Sequence, residues 1–127
     1  MFKKSTLFLS SGITALVYSI YAFANYYTLS GVDLLEAKEA KRKIKMNDIE
    51  YIIDVRSQTE WNLGHYPGAL HIPVTELKKE KMPKNSIDKG ILVYCNTGQR
   101  ARLAAEKLKA LGYNKVYYIA GTYSSII

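Results

Sequence analysis

Ile91-Leu92-Val93-Tyr94-Cys95-Asn96-Thr97-Gly98-Gln99-Arg100 changes character twice in one short run. It opens as an apolar strand, delivers a cysteine into a small polar loop, and closes on an arginine. A helical pattern starts there at once, with Ala101, Leu103, Ala104, Ala105 and Leu108. A strand feeding directly into a helix is the repeating unit of an α/β domain. In such domains reactive groups collect beyond the carboxyl ends of the strands, and Cys95 stands at one. Loop N–H groups, the positive end of a helix and the Arg100 guanidinium all favour a thiolate over a thiol, and the thiolate is the reactive form. Two readings stand at this point. Cys95 is a working nucleophile, or it is an inert cysteine buried at the end of a core strand.

The segments on either side extend the α/β pattern. Downstream, the helix from Gln99 is predicted to end at Gly112, a suitable residue just past a helix C-terminus. Lys115 to Ile119 reads as a final strand. Upstream, Tyr51-Ile52-Ile53-Asp54-Val55 is a nearly continuous apolar run, the signature of a strand buried on both faces. Gln58 to Leu63 reads as a short helix capped by Ser57. Gly64-His65-Tyr66-Pro67-Gly68 is turn chemistry. Ala69 to Pro73 reads as a short strand ended by proline, Val74 to Lys81 as a short helix or turn, and Met82 to Gly90 as a loop. Nearer the N-terminus, Ser30-Gly31-Val32-Asp33 offers a helix cap with an acidic first turn. A helix is therefore predicted through Leu34, Leu35, Ala37, Lys38, Lys41 and Ile44, broken by Asn47-Asp48. The fold class expected is α/β: a mostly parallel sheet flanked by helices.

The first residues follow another logic. Between Lys4 and Asp33 no residue is charged, and Leu7 to Ala24 is mostly apolar or small. A basic start, an apolar middle and a small-residue end make the layout of an export signal, and Ala22-Phe23-Ala24 fits its cleavage pattern. An uncleaved anchor over residues 5–27 is the competing reading, since about 20 apolar residues span a bilayer. The polar Ser10, Ser11, Thr14, Ser19 and Asn25 favour cleavage before Asn25. The division expected is a signal or membrane anchor over 1–24 and a folded domain over 28–127. Both readings put that domain outside the cytoplasm, periplasmic or secreted, with membrane anchoring under the second.

Composition narrows the functions. A chain of 127 residues with 48% apolar content suits one globular domain. The net charge of +7 is spread along the chain. It forms no basic stripe interleaved with aromatics, so no nucleic-acid partner is expected. A single cysteine allows no internal disulfide. With His65 and His71 it matches no zinc spacing, so no metal site is expected. Neither GxGxxG nor a Walker loop is present, so no nucleotide cofactor is expected, and no cofactor of any kind.

Three blocks then resemble the rhodanese domain family. They are Ile53-Asp54-Val55-Arg56 with Glu60-Trp61; Gly64-His65-Tyr66-Pro67-Gly68-Ala69 with Ile72-Pro73; and Tyr94-Cys95-Asn96-Thr97-Gly98-Gln99-Arg100-Ala101 continuing to Leu108, Leu111, Gly112 and Tyr113. They occur in the family's order and cover roughly residues 28–121. The resemblance implies a five-stranded parallel sheet flanked by helices. It implies a thiosulfate sulfurtransferase-like enzyme that moves sulfane sulfur through a Cys95 persulfide. A small sulfur donor such as thiosulfate would load Cys95, and a thiol or cyanide would unload it. Asn96, Thr97, Gly98, Gln99 and Arg100 would bind the substrate, their N–H groups forming an anion nest and Arg100 adding charge-assisted donors. Asp54, Arg56 and His65 would surround the loop. Asp54 is read as ordering loops by accepting N–H bonds, Arg56 and Glu60 as an ion pair, Trp61 as core, His65 as a cap on the Pro67-Gly68 turn, and Arg102 as solvated. Four residues separate Cys95 from Arg100, one fewer than in tyrosine phosphatases. A small phosphatase or arsenate reductase is thereby disfavoured. A non-enzymatic sulfur carrier or partner-binding module on the same fold is the main alternative; no particular protein partner is indicated. The end of the chain departs from the family: Thr122 replaces a glycine and Ile126 stands where a tryptophan is common. A shortened closing helix and weaker cover of one sheet face are the expectation there.

Overall fold

The structure is a computed structural model that describes residues 14–20 and 32–127. Residues 14–20 are helical and exposed; Gly31–Ile127 forms a compact unit of its own. No helix among the described residues is long and apolar enough to cross a membrane. Apart from 14–20, the signal or anchor segment predicted over 5–27, with its Ala22-Phe23-Ala24 site, lies outside the described residues.

The compact unit is built on five parallel strands: β1 (Val32–Leu35), β2 (Tyr51–Asp54), β3 (Leu70–His71), β4 (Gly90–Tyr94) and β5 (Lys115–Ile119). Their order across the sheet is β1-β5-β4-β2-β3. The helices are α1 (Ala37–Lys45), α2 (Gln58–Leu63) and α3 (Gln99–Ala110). Central strand β4 is buried along its whole length, which explains its unbroken apolar sequence. Its side chains alternate between two cores. Ile91, Val93 and Cys95 pack on one face with Ala101, Ala104, Ala105 and Leu108 of α3. Leu92 and Tyr94 pack on the other with Ala40 of α1, Ile49, Ile119 and Ile126. The α3 residues recur at helical spacing, and three are alanines, so the helix lies close against the sheet. A Schellman closure ends it, with Gly112 N–H donating to Lys109 O at 3.0 Å and Tyr113 N–H to Leu108 O at 3.1 Å.

Several expectations need correction. Val32–Leu35 is not the first turn of a helix but an edge strand, with Val32 beside Val116 and Leu35 beside Ile119. Four residues carry too little periodicity to separate helix from strand, and the pairing with β5 decides. Helix α1 starts after Glu36, whose extended backbone makes the N-cap without a side-chain bond. The strand over Ala69–Pro73 shrinks to Leu70–His71, while the Val74–Lys81 segment, read as a short helix or turn, is two 3-10 turns, Val74–Glu76 and Lys79–Lys81. Trp61 is half-buried and belongs to neither core. At the far end a 3-10 turn, Tyr123–Ile126, carries Ile126 into the second core at 3% exposure. That sheet face is therefore covered without a tryptophan.

Gly90 opens β4 where the chain passes very close to the α1–β2 connection. A Cβ there would sit 1.8 Å from the Asp48 carbonyl oxygen and 3.1 Å from Ile49 Cα. Glu50 N–H, donating to Gly90 O at 2.9 Å, prevents the two segments from separating. Gly90→Ala is expected to destabilise the domain by about 2–3 kcal/mol through overpacking, read as a lower urea midpoint at unchanged slope.

Candidate active site

The buried strand β4 ends at Tyr94, and Cys95 follows with no exposure to solvent. Asn96 to Gly98 then turn the chain back so that α3 begins beside the strand it has just left. The turn depends on Gly98, whose φ of +91° is left-handed. A Cβ on Gly98 would lie 2.9 Å from Ala120 Cα, so the loop also packs against the end of β5 too closely for a side chain. The curl aims backbone donors at the sulfur. Gly98 N–H donates to Cys95 Sγ at 3.1 Å and Ala101 N–H at 3.4 Å. A nest of this kind, continued by the first turn of α3, favours negative charge on the sulfur.

Beneath the loop lies a second layer of charge. β2 and β4 pair in register, with Asp54 directly beside Tyr94. Tyr94 donates its hydroxyl proton to Asp54 Oδ2 at 2.6 Å and accepts from Tyr66 N–H at 3.0 Å. The Asp54 carboxylate, fully buried, also accepts from Arg56 N–H at 2.9 Å and from its guanidinium at 2.7 Å. Arg56 reaches on to the Gly64 carbonyl at 2.6 Å and, more loosely, to Asn96 Oδ1 at 3.5 Å. Its guanidinium lies 5.5 Å from the Tyr94 ring centre and 5.3 Å from that of Tyr123, within cation–π range. Burial, then the bond to Asp54, pushes the Tyr94 phenol well above its ordinary range. It therefore acts as a neutral donor.

The third element is Glu60 of α2. Ser57 caps this helix in a capping box: Glu60 Oε1 accepts from Ser57 N–H at 3.0 Å and Ser57 Oγ at 2.9 Å. The box turns the Glu60 carboxylate towards the Cys95 loop. There it takes Arg100 in a two-pronged pair, Nη1 to Oε1 at 2.7 Å and Nη2 to Oε2 at 2.9 Å. Asn96 Nδ2 donates to Oε2 at 2.5 Å. The Arg100 bond, followed by the bond from Ser57 N–H, holds the Glu60 carboxyl far below the usual carboxylate range. Because the folded-state value is depressed, the pair's stabilisation is present at neutral pH and is lost as acid protonates Glu60.

The family model for the rhodanese-like domain matches residues 36–127. The chain belongs to the rhodanese-like domain family. Over 87 residues it is 32% identical to the "Putative sulfur carrier protein YrkF" of Bacillus subtilis, a match covering 68% of this chain and 46% of that protein. Over 94 residues it is 32% identical to a tRNA uridine(34) hydroxylase of Salmonella newport, covering 70% of this chain and 27% of the other. The chain thus spans less than half the length of these curated relatives. The human single-domain sulfurtransferase TSTD1 superposes with a TM-score of 0.60 at 25% identity, covering 74% of this chain and 92% of that one. The reduced CoADR-RHD of Bacillus anthracis superposes with a TM-score of 0.64 at 31% identity, covering 84% of this chain and 18% of that one.

Within this rhodanese-like domain the residues singled out by sequence fall into three groups. Gly98 N–H meets the Cys95 sulfur, Asn96 and Arg100 are both held by Glu60 beside it, and Thr97 and Gln99 are exposed on the outer side of the loop. On that outer side Thr97, Gly98 and Gln99 line a groove of about 500 Å³ with Arg102, Leu103 and Tyr118. Asp54 and Arg56 lie beneath the loop, and Asp54 accepts hydrogen bonds from the Arg56 backbone and guanidinium and from Tyr94. His65 does not cap the Pro67-Gly68 turn. Its Nδ1 lies 3.0 Å from Trp61 O, and its ring stacks on the Trp61 indole at 3.4 Å, on the exposed side of α2.

The predicted Arg56–Glu60 ion pair is replaced by an exchange of partners. Arg56 pairs with Asp54 and Arg100 with Glu60. Arg56 is drawn inward because Asp54, on a central strand, would otherwise be a buried charge without a counterion. Glu60 and Tyr94 were not legible as site residues from pattern alone. The usable signal was Ser57-x-x-Glu60, a capping box that fixes where a carboxylate points.

Two substitutions rank the buried network. Tyr94→Phe removes one donor to Asp54 and the acceptor for Tyr66 N–H, and is expected to cost about 1–3 kcal/mol. Asp54→Ala leaves Arg56 charged and nearly buried, and is expected to cost about 3–5 kcal/mol. Urea unfolding followed by tryptophan fluorescence measures both, and the reverse order would refute the assignment of Asp54 as the anchor.

Proposed function

We propose that the domain transfers sulfane sulfur through a persulfide on Cys95. The observation that carries this reading is the convergence of Gly98 N–H and Ala101 N–H on Cys95 Sγ. A sulfur anion in that position is already hydrogen-bonded. A persulfide built outward from it meets the same loop.

The steps balance simply. The Cys95 thiolate attacks the outer sulfur of a donor such as thiosulfate. The donor S–S bond breaks, sulfite leaves with the bonding pair, and Cys95–S–S⁻ remains. An acceptor thiolate, or cyanide, then attacks the outer sulfur, forming an acceptor persulfide or thiocyanate, and the Cys95 thiolate returns as leaving group. No net oxidation or reduction occurs. Gly98 N–H and Ala101 N–H hold the sulfur anion through both steps. The Arg56–Asp54–Tyr94 network holds the loop's approach rigid and exchanges no proton with substrate. The likeness to a protein named as a sulfur carrier favours a second reading, in which the persulfide is held for a protein partner and turnover on small acceptors is slow.

The segment containing Lys3-Lys4, the uncharged run and Ala22-Phe23-Ala24 supports delivery of the domain outside the cytoplasm, either as a cleaved product beginning at Asn25 or on an N-terminal anchor. N-terminal sequencing of the mature protein separates the two. An intact Met1 in soluble cytosol would reject export.

Sulfur transfer is tested by intact mass after incubation with thiosulfate or a low-molecular-weight persulfide. The wild type is expected to gain about 32 Da, one sulfur atom, removable by thiol. Cys95→Ser is expected to gain nothing and to lose all transfer to cyanide. An adduct retained by Cys95→Ser would sink the proposal.

A further inference from the structure

The positive charge that is spread along the sequence is gathered in space. Helix α1 carries Lys38, Lys41, Arg42, Lys43 and Lys45 against one acid, Glu39. Outside α1, residues 31–127 hold eleven cations against ten carboxylates, so nearly all the net charge of the domain sits on one nine-residue helix. Lys38, Lys41, Arg42 and Lys45 are exposed and line a groove of about 530 Å³ with Ala37 and Ser125. Lys43 turns aside, to the Tyr117 ring at 5.1 Å. Glu39 takes Arg42 at 2.7 Å, and among the described residues no carboxylate pairs with Lys38, Lys41 or Lys45.

Helix stability does not account for this face. The helix dipole favours Arg42, Lys43 and Lys45 in the last turn but disfavours Lys38 in the first. Lys38, Lys41 and Lys45 recur at helical spacing, where like charges repel. Met46, directly after the helix, is 62% exposed, so the basic face ends on an apolar side chain, as in helices that lie at a lipid interface. Placement adds a second argument. α1 connects parallel strands, so it returns from the carboxyl edge of the sheet to the amino edge. Lys45 and Met46 therefore stand at the edge where the chain enters at Val32. From Tyr27, where the uncharged apolar run ends, to Val32 is at most about 18 Å of extended chain. An anchor over residues 5–27 keeps α1 within reach of a bilayer surface. A cleaved, exported domain also meets lipid surfaces, whereas nucleic acid is confined to the cell interior.

Resting on the export reading above, and independent of the sulfur chemistry, we propose that the Lys38, Lys41, Arg42 and Lys45 face of α1 docks on an anionic phospholipid surface, with Met46 at the acyl boundary. Each cation adds an increment of attraction to the phosphate headgroups that fades as salt is raised. Ala40 packs α1 on one face of the sheet, while Cys95 and α3 pack on the other. Docking through α1 therefore leaves the sulfur and α3 clear of the lipid.

The test is lysine footprinting of the full chain with a water-soluble acylating reagent, read by peptide mass. Vesicles of phosphatidylcholine alone are compared with vesicles containing roughly one-third phosphatidylglycerol, at about 0.1 M salt. Lys38, Lys41 and Lys45 are expected to react at least about fivefold more slowly on the anionic vesicles, and Lys107 and Lys109 of α3 to change less than about twofold. The protection is expected to vanish at about 1 M salt. Because both vesicle types accept the apolar N-terminal run, the comparison reads α1 alone. Lys38→Gln/Lys41→Gln/Lys45→Gln keeps good helix formers and the Glu39–Arg42 pair. It is expected to lose at least about tenfold of the flotation with vesicles that phosphatidylglycerol adds, with a urea midpoint no lower than that of the wild type. Lys79→Gln/Lys81→Gln/Lys84→Gln removes the same charge from another exposed segment and is expected to keep that flotation within about twofold. Equal losses in the two variants would show an effect of net charge only and overturn the proposal. So would equal labelling of the α1 lysines on both vesicle types, or protection of those lysines by single-stranded RNA and not by anionic vesicles. Failure of export is read separately, by N-terminal sequencing, and leaves the footprint to decide the docking.

Discussion

The Asp54 carboxylate is the constraint on which the surrounding architecture depends. It lies at the end of a central strand with no solvent exposure. A lone carboxylate in that place would carry a desolvation cost of several kcal/mol. The fold meets it with the Arg56 backbone N–H, the Arg56 guanidinium and the Tyr94 hydroxyl. Each partner has a structural consequence. Arg56 bends back over its own strand end and ties down Gly64, at the exit of α2. Tyr94 fixes β4 against β2 and holds Tyr66 N–H, in the turn that leads to β3. Three connections at the carboxyl edge of the sheet are thereby fixed relative to one another.

The Cys95 loop takes its shape from this frame and from a contact on its other side. Gly98 packs against Ala120 at the end of β5, too close for any Cβ. Asn96 is held by Glu60 and lies in reach of Arg56. The loop is thus pinned at its two flanks, with the sulfur beneath it receiving two backbone N–H groups. Such preorganisation matters for anion chemistry, since donors already aimed at a charge need no reorganisation when it develops. It also explains why the loop is short. One more residue between Asn96 and Arg100 would have to bulge outward, away from Ala120 or away from Glu60, and the convergence on Sγ would be lost.

Much of this was legible in the sequence, and several of the parts that were not share a cause. β2, β4, α3 and β5 announce themselves by apolar runs, helical spacing and turn residues within a single local window. Cys95, Asn96, Gly98 and Arg100 follow from their position after β4. Several of the misreadings involve partners distant in the chain. Val32-Asp33-Leu34-Leu35 carries no decisive period, and only β5, formed by residues far downstream, makes it a strand. Arg56 and Glu60 lie at helical distance from one another and look paired, yet each finds its counterion elsewhere. Glu60 bonds Arg100 across 40 positions. Trp61 looks like core because of its size, yet its half-buried ring stacks with His65 and His71 and joins neither core. Local pattern predicts elements well; it does not predict which of two carboxylates an arginine will choose.

That choice carries functional weight. Had Arg56 taken Glu60, Asp54 would be left buried without a counterion, and Arg100 would be open to solvent and to anions. The observed pairing satisfies the more demanding carboxylate first, because a buried charge gains most from an adjacent counterion. Glu60, tethered by Ser57 and close to the surface, is left for Arg100. The partly exposed pair is the weaker of the two, since solvent and salt screen it. The fold therefore combines a buried pair that is costly to disturb with a partly exposed pair beside the sulfur. The first keeps the loop in place, and the second sets the charge at its mouth.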